Sequence, residues 1–145
     1  MTLETLLTFA SHNPMLAMAF VGLTIAIAIT EVARLFRGYR DLSPSELISL
    51  INVEHAVVVD LSSTMEFEKG HIAGSHSLPA QSIDPKQTFW MSKKMAPVAL
   101  VCRNGQTSAA VAKRLIQAGF QRVYCLNGGI AAWQMAELPL LKGRT

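Results

Sequence analysis

Apolar residues are distributed along this chain in two different ways. From residue 5 to residue 30 there is no Asp, Glu, Lys or Arg, and the densest apolar run, residues 15–29, is interrupted only by Gly22 and Thr24. Carried on to Ala33, this run approaches the roughly 20 residues that an α-helix needs to cross a hydrocarbon core of about 30 Å. A helix apolar on every side has no place on the surface of so small a domain. Past Arg40 the pattern changes to short apolar clusters set between polar turns, alternating between the periods of helix and strand.

The sequence Ser43-Pro44-Ser45-Glu46 supplies an N-cap, a proline at the first helical position and a carboxylate at the third, and predicts a helix to about Ile51. Ala56-Val57-Val58-Val59, ending in Asp60, is a continuous apolar run of the kind found in a strand buried on both faces. Ser63 with Glu66 repeats the capping pattern and predicts a short helix ending near Gly70. Residues 97–101 predict a second buried strand. Residues 108–118 predict a helix with Ala109, Val111, Ala112, Leu115 and Ile116 on one side and Gly119 at its end. Residues 123–126 predict a third strand, and Gly128-Gly129 turns into a last helix to about Met135. Strands of this type alternating with helices imply an α/β fold with a parallel sheet covered on both faces.

The resulting organisation is an N-terminal segment, residues 1–33, with a membrane helix at about 14–33, then a basic linker at 34–40 and one domain at 41–142. Leu3, Leu6, Leu7 and Phe9 suggest a short interfacial helix ahead of Pro14. A cleaved signal peptide with Ala26-Ile27-Ala28 as its small-x-small site is the alternative. It lacks support, because residues 1–13 contain Glu4 and no Lys or Arg. Arg34, Arg37 and Arg40 follow the span directly, which places the C-terminal domain in the cytoplasm of a single-pass inner-membrane protein, with the N-terminus outside. The same arginines are placed to meet anionic lipid head groups.

Composition adds limits. Half of the residues are hydrophobic, 16% are charged and the net charge is +3. The cations are scattered without interleaved aromatics, so no nucleic-acid face is expected. The two cysteines, Cys102 and Cys125, show no CxxC or Cys/His spacing, which speaks against a metal site or a disulfide framework. Cys125, between Tyr124 and Leu126 in a strand, is expected to pack in the core.

Cys102 is different. It closes a predicted central strand and is followed by Arg103-Asn104-Gly105-Gln106-Thr107 before a helix expected to begin at Ser108. In open parallel sheets ligands bind beyond the carboxyl ends of strands. A tight loop at a helix N-terminus aims backbone N–H groups into a nest for anions, and Arg103 adds a charge. Such surroundings favour a nucleophilic thiolate.

Four motifs in order then carry a resemblance. Val57-Val58-Val59-Asp60 is similar to the first sheet signature of rhodanese domains. Glu66-Phe67-Glu68-Lys69-Gly70-His71-Ile72-Ala73-Gly74-Ser75 resembles their E-[FY]-x-x-G-H-I-x-G-[AS] stretch. The run from Val101 to Ala109 resembles the active-site loop C-R-x-G-x-x-S-A, and Asn127-Gly128-Gly129-Ile130-Ala131-Ala132-Trp133 the closing GG-[IVF]-x-x-W. The resemblance covers about residues 41–140 and omits the membrane span. It implies a sulfurtransferase in which Cys102 takes a sulfane sulfur from thiosulfate or a persulfide and passes it to a thiol or cyanide. No cofactor is implied. It also implies that Arg103, Asn104, Gly105, Gln106, Thr107 and Ser108 hold the substrate. The backbone amides of Asn104 to Thr107 would point inward, and Ser108 would close the loop. Asp60 becomes a structural carboxylate beneath the loop, and the His71 ring a partner for nearby backbone.

Two positions depart from the family pattern. Ser62 and Thr107 stand where rhodanese domains often carry arginine, which predicts weak use of dianionic thiosulfate and better use of a neutral or protein-borne persulfide. Cys-based phosphatases use a similar nest but need an arginine after five intervening residues to clamp phosphate. Ser108 occupies that place. The remaining alternative is a scaffolding module that recruits a membrane-protein client, since fold alone does not fix function. Trp133 and Phe120 are expected in the core. The Phe89-Trp90-Met91 cluster is expected first as packing, with an exposed lid or a partner face as the alternatives, and His76 is expected on the surface or in a loop.

Overall fold

The computed structural model describes residues 2–144. The chain divides into two compact units, one running through Arg37 and the other beginning at Gly38. The first holds two helices, α1 (Leu3–His12) and α2 (Pro14–Leu35). With Pro14 at its start and none of its residues buried, α2 is long and apolar enough to cross a membrane. It runs two residues past the expected end at Ala33. Arg40, read from sequence as linker, already belongs to a strand.

The second unit is a five-stranded parallel sheet flanked by helices. Its strands are β1 (Arg40–Leu42), β2 (Val57–Asp60), β3 (His76–Ser77), β4 (Val98–Val101) and β5 (Val123–Leu126). Their spatial order is β1-β5-β4-β2-β3, with every pair parallel. The helices are α3 (Pro44–Glu54), α4 (Thr64–Lys69), α5 (Thr88–Ser92), α6 (Gln106–Gln117) and α7 (Gly129–Met135), with a 3₁₀ turn at Ala80–Ser82. Alternation along β4 sends Leu100 to one face and Ala99 and Val101 to the other, so the strand is buried on both sides. Leu100 packs with Val111 and Leu115 of α6, Trp90 of α5 and Phe120. The opposite face packs against Leu47 and Leu50 of α3 and Ile130 and Trp133 of α7.

Both predicted capping boxes form. The Ser43 hydroxyl accepts the Glu46 N–H at 3.3 Å, and the Ser43 N–H donates to the Glu46 carboxylate at 2.8 Å. Ser63 and Glu66 make the same exchange at the start of α4. The backbone bond from the capping serine holds each carboxyl below its ordinary value.

One boundary near the site is corrected. The helix after Cys102 begins at Gln106, two residues before the expected Ser108. The Asn104 side chain accepts the Gln106 N–H at 3.2 Å. Gly105 takes the cap position at φ +87°, a left-handed conformation that glycine adopts without a Cβ penalty. The loop is therefore shorter and more tightly wound than the polar run suggests.

Candidate active site

The strand order reverses direction between β2 and β4. The chain leaves β2 toward β3 on one side, and leaves β4 toward β5 on the other. Cys102 stands at the carboxyl end of β4, at this switch point, where open parallel sheets place their ligands. Its residue is 3% exposed.

Peptide orientation makes the loop a cradle. The Cys102 carbonyl accepts the Ile130 N–H at 2.9 Å, and the Arg103 carbonyl accepts the Ala131 N–H at 3.2 Å. Both donors lie in the first turn of α7, whose N–H groups have no intrahelical acceptor. With its carbonyls held outward by α7, the loop turns an amide back on the sulfur: the Gly105 N–H donates to Cys102 Sγ at 3.0 Å. Ser108 Oγ lies 3.7 Å from Sγ and donates to the Gly105 carbonyl at 2.9 Å. Asn104 Oδ1 is 4.0 Å from Sγ. The N-terminus of the 12-residue α6 adds its partial positive charge at the same point.

Gly129 explains how two turns come so close. Its φ is +59°, and a Cβ built there would overlap the Cys102 carbonyl oxygen. Only glycine permits this approach of backbone to backbone. Gly128-Gly129, expected from sequence only to open a helix, also forms the outer wall of the Cys102 loop. Two adjacent glycines opening a helix were the available signal.

The predicted site residues separate into two groups. Cys102, Gly105 and Ser108 meet around the sulfur. Gln106 and Thr107 are exposed on the first turn of α6, and the Gln106 N–H, expected to face inward, is taken by Asn104. Arg103 departs from its expected role as the cradle's charge. Its guanidinium reaches α4 and donates to the Glu66 and Gly70 carbonyls. The Glu66 carboxylate lies 4.0 Å from Nε, too far for a hydrogen bond, and Nε has no partner among the described residues. Arg103 thus answers the orphan carbonyls at the end of a six-residue helix.

Asp60, 1% exposed, accepts the Ser62 N–H at 2.9 Å through Oδ1. Its other oxygen and the Ser62 hydroxyl have no partner among the described residues. His71 Nδ1 meets the Phe67 carbonyl at 2.9 Å, and its ring stacks on Phe67 at 3.8 Å between centroids. That carbonyl fixes the proton on Nδ1, so the ring braces the turn after α4. Trp90, Phe120 and Trp133 are buried, Phe89 packs against the core, and Met91 is exposed. His76 is exposed and meets Phe89 edge-on. Among the described residues no three His, Cys, Asp or Glu side chains gather as metal ligands would.

The second cysteine lies behind the first. Cys125 is buried on β5, and burial pushes its thiol up to about 12.

Comparison with known proteins is consistent across sequence and structure. Residues 43–136 match the model of the rhodanese-like domain. The chain is 34% identical over 143 residues to the Escherichia coli protein YibN, covering 98% of this chain and 100% of YibN. It is 31% identical over 100 residues to the thiosulfate sulfurtransferase GlpE of Pseudoalteromonas translucida, covering 68% of this chain and 92% of that enzyme. Among solved structures, a rhodanese-related protein from Thermoplasma volcanium superposes with a TM-score of 0.61 at 25% identity, covering 71% of this chain and 98% of that one.

Proposed function

Since this chain belongs to the rhodanese-like domain family, we propose that it is a membrane-anchored sulfurtransferase that carries a sulfane sulfur as a persulfide on Cys102. The observation that carries the reading is the Gly105 N–H donated to Sγ at 3.0 Å, in a loop whose carbonyls are held away by α7. A donor amide fixed in advance stabilises a sulfur anion without reorganising when the charge arrives.

The reaction runs in two displacements. The Cys102 thiolate attacks the outer sulfur of the donor. A new S–S bond forms, the donor's own S–S bond breaks, and its electron pair leaves with sulfite from thiosulfate or with a thiolate from a persulfide. An acceptor thiolate, or cyanide, then attacks the terminal sulfur of the Cys102 persulfide and releases Cys102 as thiolate. Gly105 N–H, the Ser108 hydroxyl and the α6 N-terminus face the charge at both stages. At 3% exposure, Cys102 is reached only by a slender group, and a sulfane sulfur projecting from its donor is one.

Donor choice follows from charge. With the Arg103 guanidinium on α4 carbonyls, and Ser62 and Thr107 neutral, no side-chain cation faces the sulfur from these positions. A persulfide donor is therefore favoured over the thiosulfate dianion. The α2 helix serves as the anchor, and Arg34, Arg37 and Arg40 retain the domain on the cytoplasmic side.

The test is intact-mass analysis of the full chain in detergent micelles after exposure to thiosulfate or to a low-molecular-weight persulfide. The expected result is a gain of one sulfur, about 32 Da, removed by cyanide and absent in Cys102→Ser, because only the thiolate takes up sulfur. The persulfide is expected to load faster. Equal or faster loading from thiosulfate would overturn the donor preference. A folded chain loaded by neither donor would overturn the sulfurtransferase reading and favour a scaffolding role.

A further inference from the structure

The first N–H groups of a helix have no intrahelical acceptor, and α6 opens beside Cys102 with Gln106 as its first residue. A side chain of the same loop takes that N–H: Asn104 Oδ1 accepts it at 3.2 Å. Only the oxygen end of an amide side chain can accept, so the donor fixes which way Asn104 faces. The same oxygen lies 4.0 Å from Cys102 Sγ, whereas the Gly105 N–H reaches Sγ directly at 3.0 Å. Of two neighbouring amides, one serves the sulfur and the next is covered by an oxygen of the chain itself.

An outer sulfur on Cys102 competes for that place. An S–S bond is about 2.05 Å long. Extended from Sγ toward Asn104 Oδ1, which lies 4.0 Å away, the outer sulfur would stand about 2 Å from the oxygen, well inside contact distance. The two atoms cannot share this side of Sγ. Asn104 is exposed, so its side chain has solvent to swing into. Ser108, the other side-chain oxygen near Sγ, has no such freedom: it is buried and donates to the Gly105 carbonyl at 2.9 Å.

We propose that Asn104 is a specificity-determining gate. At rest its Oδ1 fills the nest in place of an anion, and an anionic donor enters by displacing it and taking the Gln106 N–H. The inference deepens the sulfurtransferase reading and rests on it for its biological meaning. Only hydrogen bonds change hands: the Asn104 amide passes to water and the Gln106 N–H to the incoming anion. Displacement costs about one neutral hydrogen bond, a factor of about five in affinity. A free small anion must meet that cost from the nest alone. A protein-borne persulfide brings contacts of its own.

The rival role for Asn104 is a plain cap on α6, and the two roles predict opposite effects. Removing a cap loosens the nest and weakens anion binding; removing a gate strengthens it. The experiment measures how sulfate protects Cys102 from iodoacetamide, by site-resolved alkylation of the full chain in detergent micelles at neutral pH and constant ionic strength. Thermal unfolding is the check on folding. We expect half-protection of Asn104→Ala at about fivefold less sulfate than the wild-type chain needs, the worth of one neutral hydrogen bond. Asn104→Gly lacks the same oxygen and should shift the same way, which keeps the test open if the Ala chain does not fold. Asn104→Asp keeps the acceptor, adds a charge and should need more sulfate. An unchanged or raised requirement in a folded Ala or Gly chain would overturn the proposal, as would sulfate that protects none of the chains. Sulfate protection needs no sulfur transfer. The expected shift in a chain that takes up sulfur from neither donor would therefore count against the sulfurtransferase reading alone.

Discussion

Cys102 and Cys125 share a face of one sheet and differ in what surrounds them. Cys102 ends its strand against a backbone donor, two nearby side-chain oxygens and the start of a helix. Cys125 sits one strand over, inside β5, where desolvation dominates. The consequence is a pH dependence of stability. The Cys125 thiol moves from an ordinary 9.0 to about 12 in the folded chain. Between these values the unfolded chain loses a proton that the folded chain keeps. The contribution is thus complete below pH 9 and is lost as pH rises toward 12. Thermal unfolding of the wild-type and Cys125→Val chains, followed from neutral to alkaline pH, should show the wild-type chain losing stability relative to the Val chain as pH rises above 9. Parallel curves over that range would mean that the thiol is not protected by burial. The residue scale also shows where sequence reading stopped. The Cys102 loop was legible because cysteine, glycine and serine fall at the spacing that brings the Gly105 N–H and the Ser108 hydroxyl beside Sγ. Cys125 was legible as core filling, whereas the capture of the Gln106 N–H by Asn104 was not, because both residues lie in one polar run.

At the scale of elements, the long apolar strands and the capped helices were legible, and the short ones were not. Residues 57–60, 98–101 and 123–126 carry enough apolar length to announce buried strands. By contrast β1 is Arg-Asp-Leu and β3 is His-Ser. Neither has a pattern of its own; each exists because a neighbouring strand offers a ladder to join. The five-residue α5 is likewise held by Trp90, fully buried against Phe120. Arg103 was read as part of its loop because its neighbours in sequence are loop residues, yet its partner carbonyls belong to α4. This contact ties the sulfur loop to the helix on the far side of the switch point. Arg103→Ala is therefore expected to lower stability by about 2 kcal/mol, the cost of losing charge-assisted bonds to half-buried carbonyls. Arg103→Lys should recover only part of it, since both bonds come from the single terminal nitrogen Nη2, which the differently shaped lysine side chain does not place at the same point. Thermal unfolding of the three chains checks the order. An Arg103→Ala chain as stable as wild type, with thiosulfate loading strongly reduced, would return the guanidinium to the cradle.

For the whole molecule, similarity to GlpE spans 68% of the chain, whereas similarity to YibN spans 98% and so includes the N-terminal helices. The helices therefore belong to what this chain shares with a full-length relative, and their orientation becomes a question that charge can answer. No Lys or Arg precedes α2, while Arg34, Arg37 and Arg40 follow within the first residues beyond its apolar stretch. Arg34 pairs with Glu31 and Arg40 with Glu46, but acidic residues count little toward topology. The expected topology puts the C-terminus in the cytoplasm. A C-terminal reporter that is active only in the cytoplasm should be active on the wild-type chain, and the chain should stay with membranes through an alkaline carbonate wash. Its N-terminal peptide should still begin before Ala26. A mature chain beginning after Ala28 would instead identify residues 1–28 as a leader. The decisive variant moves the charge: Thr2→Lys and Thr5→Lys combined with Arg34→Gln and Arg37→Gln reverse the bias across α2 without touching a residue of the sulfur site. Reporter activity should then fall as a fraction of chains inserts the other way. Unchanged activity in that variant would mean that something other than these arginines, such as folding of the C-terminal domain before insertion, sets the orientation.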